Sequence, residues 1–85
     1  MTIAYSKQFV KQAKKLDPKL RQKLHECLSL FIENPFDPRL RNHPLKEKYK
    51  DYRSIDITGD LRALYLPQKE IMIFDVVGTH GQLYG

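Results

Sequence analysis

The sequence is poor in the features that stabilise secreted proteins or anchor a chain in a membrane. It has one cysteine in 85 residues, so no internal disulfide can form, which is typical of a reducing cytoplasm. The N-terminus shows no basic stretch followed by an apolar run, so we expect no signal peptide. The longest apolar run, residues 71–74, is far too short to span a bilayer. These absences predict a cytoplasmic protein that does not bind membranes.

Acidic residues are scarce in the N-terminal part of the chain. Residues 1–53 hold 13 of the 15 lysines and arginines and 6 of the 10 aspartates and glutamates, a net charge of +7, whereas residues 54–85 carry −2. The hydrophobic fraction of 41% suffices for one small core, so we predict one domain over residues 1–85. The basic half favours a polyanionic partner, usually nucleic acid, although a solvated helical surface without a partner explains the charge equally well.

The pattern of apolar residues over the first 33 positions predicts a short strand and then two helices. Residues 2–5 form a short predicted strand, and Ser6 is a candidate N-cap for a helix over residues 7–16. Asp17 followed by proline predicts the start of a second helix over residues 18–33. The apolar stripe of this second helix consists of Leu20, Leu24, Cys27, Leu28 and Phe31.

The rest of the chain reads as a proline-rich loop followed by a meander of strands. We predict a loop over residues 34–44, a charged connector over 46–50, strands over 52–57, 61–66 and 70–77, turns over 58–60 and 67–69, and a tail over 79–85. The predicted fold class is α+β, in which the N-terminal strand and a two-helix hairpin pack on one face of a small antiparallel sheet. The other face of the sheet is expected to be open.

Most catalytic and metal-binding patterns are missing from this sequence. The four candidate soft ligands, His25, Cys27, His43 and His80, do not have the spacing of a metal site. No glycine-rich phosphate loop and no serine or cysteine nucleophile motif is present, and Cys27 is most simply a core residue. We therefore expect neither a metal nor another cofactor.

The remaining polar side chains suit the cleavage of RNA by its own 2′-hydroxyl. That reaction needs a base, an acid and a cation on the phosphate, but no protein nucleophile. His80 lies where a buried strand ends and suits acid or base work, and Asp60 is a candidate base. Arg62 can bind phosphate, and Tyr84 can stack on a base.

Four short segments carry a resemblance to a known family. They are residues 42–45 (Asn-His-Pro-Leu), residues 52–53 (Tyr-Arg), Asp60 ahead of residues 62–65 (Arg-Ala-Leu-Tyr), and residues 78–85 (Gly-Thr-His-Gly-Gln-Leu-Tyr-Gly). In this order and spacing they resemble the YafQ branch of the RelE/ParE toxin superfamily, over essentially the whole chain. The resemblance implies a toxin of a type II toxin-antitoxin system with the RelE-like microbial RNase fold. It also implies ribosome-dependent, metal-independent cleavage of mRNA.

The resemblance assigns roles residue by residue. His43 matches a catalytic or RNA-contacting histidine, Asp60 an active-site aspartate, and His80 the C-terminal catalytic histidine. Tyr84 matches the aromatic residue of the tail, where the branch has phenylalanine, and Arg62 matches a phosphate-binding arginine of more distant members. The hypothesis is that His80 is the general acid and that Asp60 or His43 is the base.

Further residues enter the hypothesis with less defined roles. Asp56 stands where the YafQ branch has a histidine, and it can act as a base or orient His80. Arg53 is expected to help Arg62 on the phosphate. Lysines of the helices and the connector are expected to contact ribosomal RNA: Lys11, Lys14, Lys15, Lys46, Lys48 and Lys50.

The resemblance also implies partners and leaves alternatives open. A cognate antitoxin is expected to neutralise the protein, and contact with DNA is expected only indirectly, through that antitoxin. One alternative is a ParE-like toxin that inhibits a topoisomerase by protein contact and needs no acid–base residue. The other is a ribosome- or RNA-binding relative that has lost catalysis, which the departure at Asp56 keeps open.

Overall fold

A computed structural model describes residues 1–84, which form a five-stranded sheet with two longer helices packed against it. The strands are β1 (Thr2–Tyr5), β2 (His43–Pro44), β3 (Arg53–Asp56), β4 (Leu61–Gln68) and β5 (Ile71–Thr79), and the helices are α1 (Lys7–Lys14), α2 (Pro18–Glu33) and α3 (His80–Tyr84). Short 3-10 turns cover Pro38–Leu40 and Glu47–Tyr49. Within the described residues, no helix combines the length and apolarity needed to cross a membrane.

Both predicted helix starts are confirmed by their capping bonds. The Ser6 hydroxyl accepts the backbone N–H of Phe9 at 3.1 Å, and the Asp17 carboxylate accepts that of Leu20 at 2.9 Å. Helix α2 has the predicted bounds, whereas α1 ends at Lys14, two residues before the predicted end.

The sheet has the order β1-β5-β4-β3-β2, which confirms the α+β class. Strands β3, β4 and β5 pair antiparallel, as predicted, and β2 also pairs antiparallel with β3. Strand β1 pairs parallel with β5, so the sheet is mixed rather than purely antiparallel. The periodicity of β1 reveals a strand but not its partner. The long connection through the helices and the meander allows the parallel arrangement.

The main core lies between α1, α2 and one face of the sheet. Its buried members are Phe9, Leu24, Cys27, Phe31, Leu40, Ile55, Ile57, Leu61, Ala63, Tyr65, Phe74 and Val77. The side chains of β3 alternate between the two faces of the sheet, because Ile55 belongs to this core while Ser54 and Asp56 face the opposite side. The side chains that alternate with the core are therefore available to a site on the second face.

Two local predictions in the loops are wrong. The segment predicted as a loop over residues 34–44 contains the 3-10 turn Pro38–Leu40, and it ends in strand β2, which pairs with β3. The residues predicted as a turn, Pro67 and Gln68, continue β4, and the turn follows at Lys69 with φ of 50°. Pro67 is tolerated because the pairing of β4 with β3 ends at Tyr65, so this part of β4 is an edge.

The predicted C-terminal tail is a short helix, α3, that folds back against the sheet. Thr79 and Gln82 form a capping box: the Thr79 hydroxyl accepts the N–H of Gln82 at 3.2 Å, and the Gln82 side chain accepts the N–H of Thr79 at 2.8 Å. A Cβ at Gly78 would lie 3.1 Å from the Gln82 Oε1 atom, so glycine permits this close approach. Leu83 is buried, and the last residue of the predicted tail, residue 85, lies outside the described residues.

A tyrosine–aspartate hydrogen bond ties the residue before β3 to β5 and predicts a loss of stability at alkaline pH. The Tyr52 hydroxyl donates to Asp75 at 2.7 Å. This bond, followed by burial and the negative charge of Asp75, raises the pKa of Tyr52 to about 12. Because the folded pKa exceeds the unfolded value of about 10, the stabilisation is complete below pH ~10 and disappears as the pH rises through ~12.

We therefore expect the Tyr52→Phe variant to lose less unfolding free energy than the wild type between pH 9 and pH 12. Urea unfolding at several alkaline pH values measures this difference. Tyr5 and Tyr84, whose pKa values are raised mainly by burial, are present in both proteins and act as an internal control. Parallel pH curves for the two proteins would show that the Tyr52–Asp75 bond contributes nothing to folding.

Candidate active site

A cleft of about 700 Å³ lies on the sheet face opposite the main core. Its volume is in the range of small-molecule and cofactor sites, roughly 300–1,000 Å³. It is lined by Arg41, Asn42, His43, Leu45, Ser54, Asp56, Arg62, His80 and Tyr84. Strands β2, β3 and β4, the loop before β2, and helix α3 thus all contribute side chains to one concave surface.

His43 is oriented by the backbone of its own loop. Its Nδ1 atom lies 2.7 Å from the carbonyl oxygen of Arg41. A carbonyl oxygen can only accept, so Nδ1 must carry the proton of this bond. The neutral ring then keeps its lone pair on Nε2, and the histidine is set up to accept a proton from a group in the cleft.

His80 is the first residue of α3 and reaches the cleft from its other side. Its backbone N–H donates to the carbonyl oxygen of Asp60 at 3.1 Å and, more weakly, to the Asp60 carboxylate at 3.3 Å. Its ring lies 4.8 Å from the ring of Tyr84, centroid to centroid, and Tyr84 in turn meets Tyr49 edge-on at 5.9 Å. The segment predicted as a short tail therefore forms a helix that supports the histidine.

Asp60 was predicted as an active-site aspartate, and its position suggests an indirect role. Among the described residues it is not part of the cleft lining, and its carboxylate contacts the backbone of His80. The Asp60 carbonyl and carboxylate oxygens accept the N–H of His80 and so join the β3–β4 turn to the start of α3. Asp60 thus holds His80 in place, while the Thr79–Gln82 capping box defines where the helix begins.

Arg62, the predicted phosphate-binding arginine, lies in the cleft and is held by three protein acceptors. Its Nε atom is 3.1 Å from the Asp56 carboxylate, and one terminal nitrogen donates to the carbonyl oxygens of Thr58 at 2.9 Å and Gly59 at 3.0 Å. Asp56, a candidate orienting group for His80, pairs with arginines instead: its other oxygen lies 3.7 Å from Arg41. The site therefore contains two guanidinium groups on one carboxylate.

Arg53 does not reach the cleft lining within the described residues. Its Nε atom donates to the Asn42 side chain at 2.8 Å, and its guanidinium lies 5.3 Å from the centroid of the Phe36 ring. The alternation of β3 explains this position, because Arg53 shares a face with Ile55 and not with Ser54 and Asp56. Its predicted contact with the phosphate has no support in this geometry.

The connector lysines are exposed beside the cleft residue Leu45. Lys46, Lys48 and Lys50 all face solvent, and the Lys48 ammonium lies 5.1 Å from the centroid of the Tyr49 ring. Tyr49 contacts Tyr84, so this basic surface is continuous with the aromatic edge of the cleft.

Sequence reasoning missed four lining residues: Arg41, Asn42, Leu45 and Ser54. Ser54 is fully buried, and its hydroxyl has no hydrogen-bond partner among residues 1–84. A buried hydroxyl without a partner is unfavourable, so it is expected to bind water or a ligand group. Its position two residues before Asp56 on the same strand was a usable signal. Nothing in the local pattern marked Arg41.

The described residues offer no ready-made metal site. In residues 1–84, no three or more histidine, cysteine, aspartate and glutamate side chains come together in a way that could hold an ion. Acid–base and electrostatic chemistry by the histidines and arginines is what the cleft provides.

Comparisons with known proteins find relatives of similar sequence and fold. The mRNA interferase toxin YafQ of Escherichia coli strain B / BL21-DE3 is 33% identical over 92 residues, covering 98% of this chain and 95% of that protein. Its crystal structure matches with a TM-score of 0.83 at 30% identity, covering 98% and 97% of the two chains. YafQ in the E. coli DinJ–YafQ complex matches with a TM-score of 0.78 at 30% identity and the same coverage.

The family model described as "Bacterial toxin of type II toxin-antitoxin system, YafQ" matches residues 1–85 of the sequence. This match covers the whole chain, and the relatives above are matched over nearly their full length. The resemblance drawn from the four sequence segments is thereby confirmed. The chain belongs to the YafQ family of bacterial toxins of type II toxin-antitoxin systems.

Proposed function

We propose that this protein is a ribosome-dependent mRNA interferase that cleaves the message by attack of its own 2′-hydroxyl. The observation that carries the proposal is the presence of two histidines in one cleft, together with an anchored arginine. His43 and His80 reach the cleft from the β2 strand and the α3 helix, respectively. One histidine can therefore take up a proton while the other delivers one.

The better-supported base is His43 rather than Asp60. The bond from its Nδ1–H to the Arg41 carbonyl leaves Nε2 free to remove the proton of the 2′-hydroxyl. The 2′-oxygen then attacks the adjacent phosphorus atom, and the bond from phosphorus to the 5′-oxygen breaks. Asp60, whose oxygens accept the N–H of His80, acts as a positioning residue.

His80 is the proposed acid that protonates the departing 5′-oxygen. The products are then a 2′,3′-cyclic phosphate and a 5′-hydroxyl end, and the proton count balances because His43 gains the proton that the 2′-hydroxyl loses. Arg62 stabilises the charge that develops on the phosphate, and Tyr84 stacks on a base next to the cleavage site.

Ribosomal RNA and an antitoxin are the proposed macromolecular partners, and the cytoplasm is the proposed location. The connector lysines are exposed beside the cleft residue Leu45 and offer a surface to the polyanion, and Lys11, Lys14 and Lys15 are exposed on the helical side of the molecule. The DinJ–YafQ complex of the E. coli relative supports a cognate antitoxin for this chain. Binding to ribosomes should weaken steeply with salt, since each phosphate contact releases counterions.

Cell-free translation of a reporter message tests the function directly. The 5′ ends of the message are mapped after adding the protein, with and without ribosomes. We expect new ends inside translated codons only when ribosomes are present, and 5′-hydroxyl rather than 5′-phosphate chemistry at those ends. An intact message with stalled translation would indicate a binder without catalysis. An intact message with normal translation would direct attention to a topoisomerase target.

A further inference from the structure

Arg62 has already committed most of its donors to the protein. Of its five N–H groups, the one on Nε faces Asp56 and the two on NH1 face the carbonyl oxygens of Thr58 and Gly59. The side chain is 19% exposed, so the surroundings hold it in this position. Only the second terminal nitrogen remains for a phosphate. Arg62 alone therefore cannot form the two-nitrogen fork by which arginine usually grips phosphate oxygens.

Arg41 places a second guanidinium group at the Asp56 carboxylate, and this group is held far less tightly than that of Arg62. Its Nε atom lies 3.7 Å from the Asp56 Oδ2 atom, compared with 3.1 Å from Arg62 to Oδ1. The Arg41 side chain is 78% exposed and lines the cleft. Because the Arg41 end of this pair is in solvent and the separation is long, the pair holds Arg41 only weakly, and the Arg41 side chain can leave Asp56.

The cluster formed by Arg41, Arg62 and Asp56 carries an excess positive charge that an anion would neutralise. Two guanidinium groups and one carboxylate carry a net charge of +1, which a phosphodiester of charge −1 would balance. Arg41 is also tied to the proposed base, because its carbonyl oxygen accepts the Nδ1–H of His43 at 2.7 Å. The left-handed backbone at this residue, with φ of 51°, sends the carbonyl towards His43 while the side chain reaches Asp56.

We propose that Arg41 is a second phosphate-binding residue of the cleft, held at Asp56 while the cleft is empty and transferred to the phosphate of bound RNA. Arg62 stays on Asp56 and contributes its free terminal nitrogen to the same phosphate. Asp56 is then a positioning residue that holds Arg62 throughout and holds Arg41 at the cleft until RNA binds. This inference rests on the proposed function for its substrate, but the phosphate contact can be tested without cleavage.

The first test measures the binding of a nucleoside 3′-monophosphate to the free protein by NMR titration at low salt. The variants are Arg41→Gln and, as a matched control, Arg39→Gln. Arg39 lies in the same loop, its side chain is 75% exposed, it pairs with Asp37, and it is not among the residues that line this cleft. Both changes remove one positive charge, so long-range electrostatics affect the two variants alike.

We expect Arg41→Gln to weaken binding by about tenfold or more, as the loss of a charge-assisted hydrogen bond predicts. The control variant should stay within about twofold of the wild type, the effect of removing one surface charge that does not line this cleft. Arg41→Lys should recover part of the binding, because it restores the charge without the fork. Equal binding by the two glutamine variants, or no measurable binding by the wild type, would overturn the proposal.

The second test measures single-turnover cleavage on programmed ribosomes. The ribosome concentration is kept well above the dissociation constant of the protein–ribosome complex. Arg41→Gln should lower the cleavage rate itself, whereas a residue that only helps docking would change the ribosome concentration required. If the wild type cleaves and both glutamine variants cleave at its rate, the Arg41 assignment fails and the proposed function stands. If the wild type does not cleave, the proposed function fails, and the nucleotide titration still decides the role of Arg41.

Discussion

His80→Ala is expected to lower the rate of message cleavage by about 10²–10⁴-fold, the usual contribution of a general acid. The imidazole lies on the first residue of α3 beside Tyr84, at the cleft that also holds His43. The bond that anchors this residue to Asp60 uses the backbone N–H, so alanine keeps it. The variant should therefore fold and bind ribosomes as the wild type does, and only the chemical step should suffer.

The matched control is His25→Ala, which removes an exposed histidine in the middle of α2, outside the cleft. It should cleave at the wild-type rate. Single-turnover mapping of 5′ ends on programmed ribosomes gives the rate, and ribosome pelleting gives the binding. Near-full cleavage by His80→Ala would remove the histidine from the mechanism. Equal losses in cleavage and in ribosome binding would mean that it acts in docking.

Asp60→Ala separates a positioning role from a direct one. It removes the carboxylate contact of 3.3 Å but leaves the carbonyl oxygen that accepts the His80 N–H at 3.1 Å. The structure therefore favours a smaller loss of rate than His80→Ala causes. A loss as large as that of His80→Ala would return Asp60 to the list of candidate bases.

The sequence alone predicted those features that depend on residues a few positions apart in the chain. Ser6 and Asp17 cap the two helices by bonds that span three residues, and such spacing is visible in the sequence. The alternation of Ser54, Ile55 and Asp56 similarly fixed which β3 side chains face the core. The same kind of signal, threonine followed three residues later by glutamine, marks the start of α3, and the tail was predicted without using it.

Contacts between segments that are far apart in the sequence could not be predicted from local patterns. The pairing of β1 with β5 and of β2 with β3 depends on where the chain returns, which periodicity does not encode. The Asp56 carboxylate meets Arg41 and Arg62 for the same reason, and no spacing in the sequence brings Arg41 to that strand. Arg53 is the opposite case. It lies three residues before Asp56 on the same strand, so strand alternation already placed the two side chains on opposite faces of the sheet.

The core prediction with the largest effect concerns Phe74, in the middle of β5. Its ring lies 5.1 to 6.1 Å from the rings of Tyr5, Phe9, Phe31 and Tyr65, centroid to centroid, and it has no exposed surface. Phe74→Ala should lower the free energy of unfolding by about 3–5 kcal/mol, because it removes buried surface and leaves a cavity. An 85-residue domain has roughly 4–13 kcal/mol in total, so much of that stability is lost.

The same substitution at Phe36 provides the control, because that ring is 64% exposed and touches the Arg53 side chain. Phe36→Ala should change the free energy of unfolding by less than about 0.5 kcal/mol. Urea unfolding monitored by circular dichroism measures both variants. The Phe74 variant should lose cleavage and fold together as urea is added, whereas His80→Ala should lose cleavage with its fold intact. Similar stabilities for the two phenylalanine variants would show that the packing around β5 does not hold the sheet in the arrangement that brings His80 to the cleft.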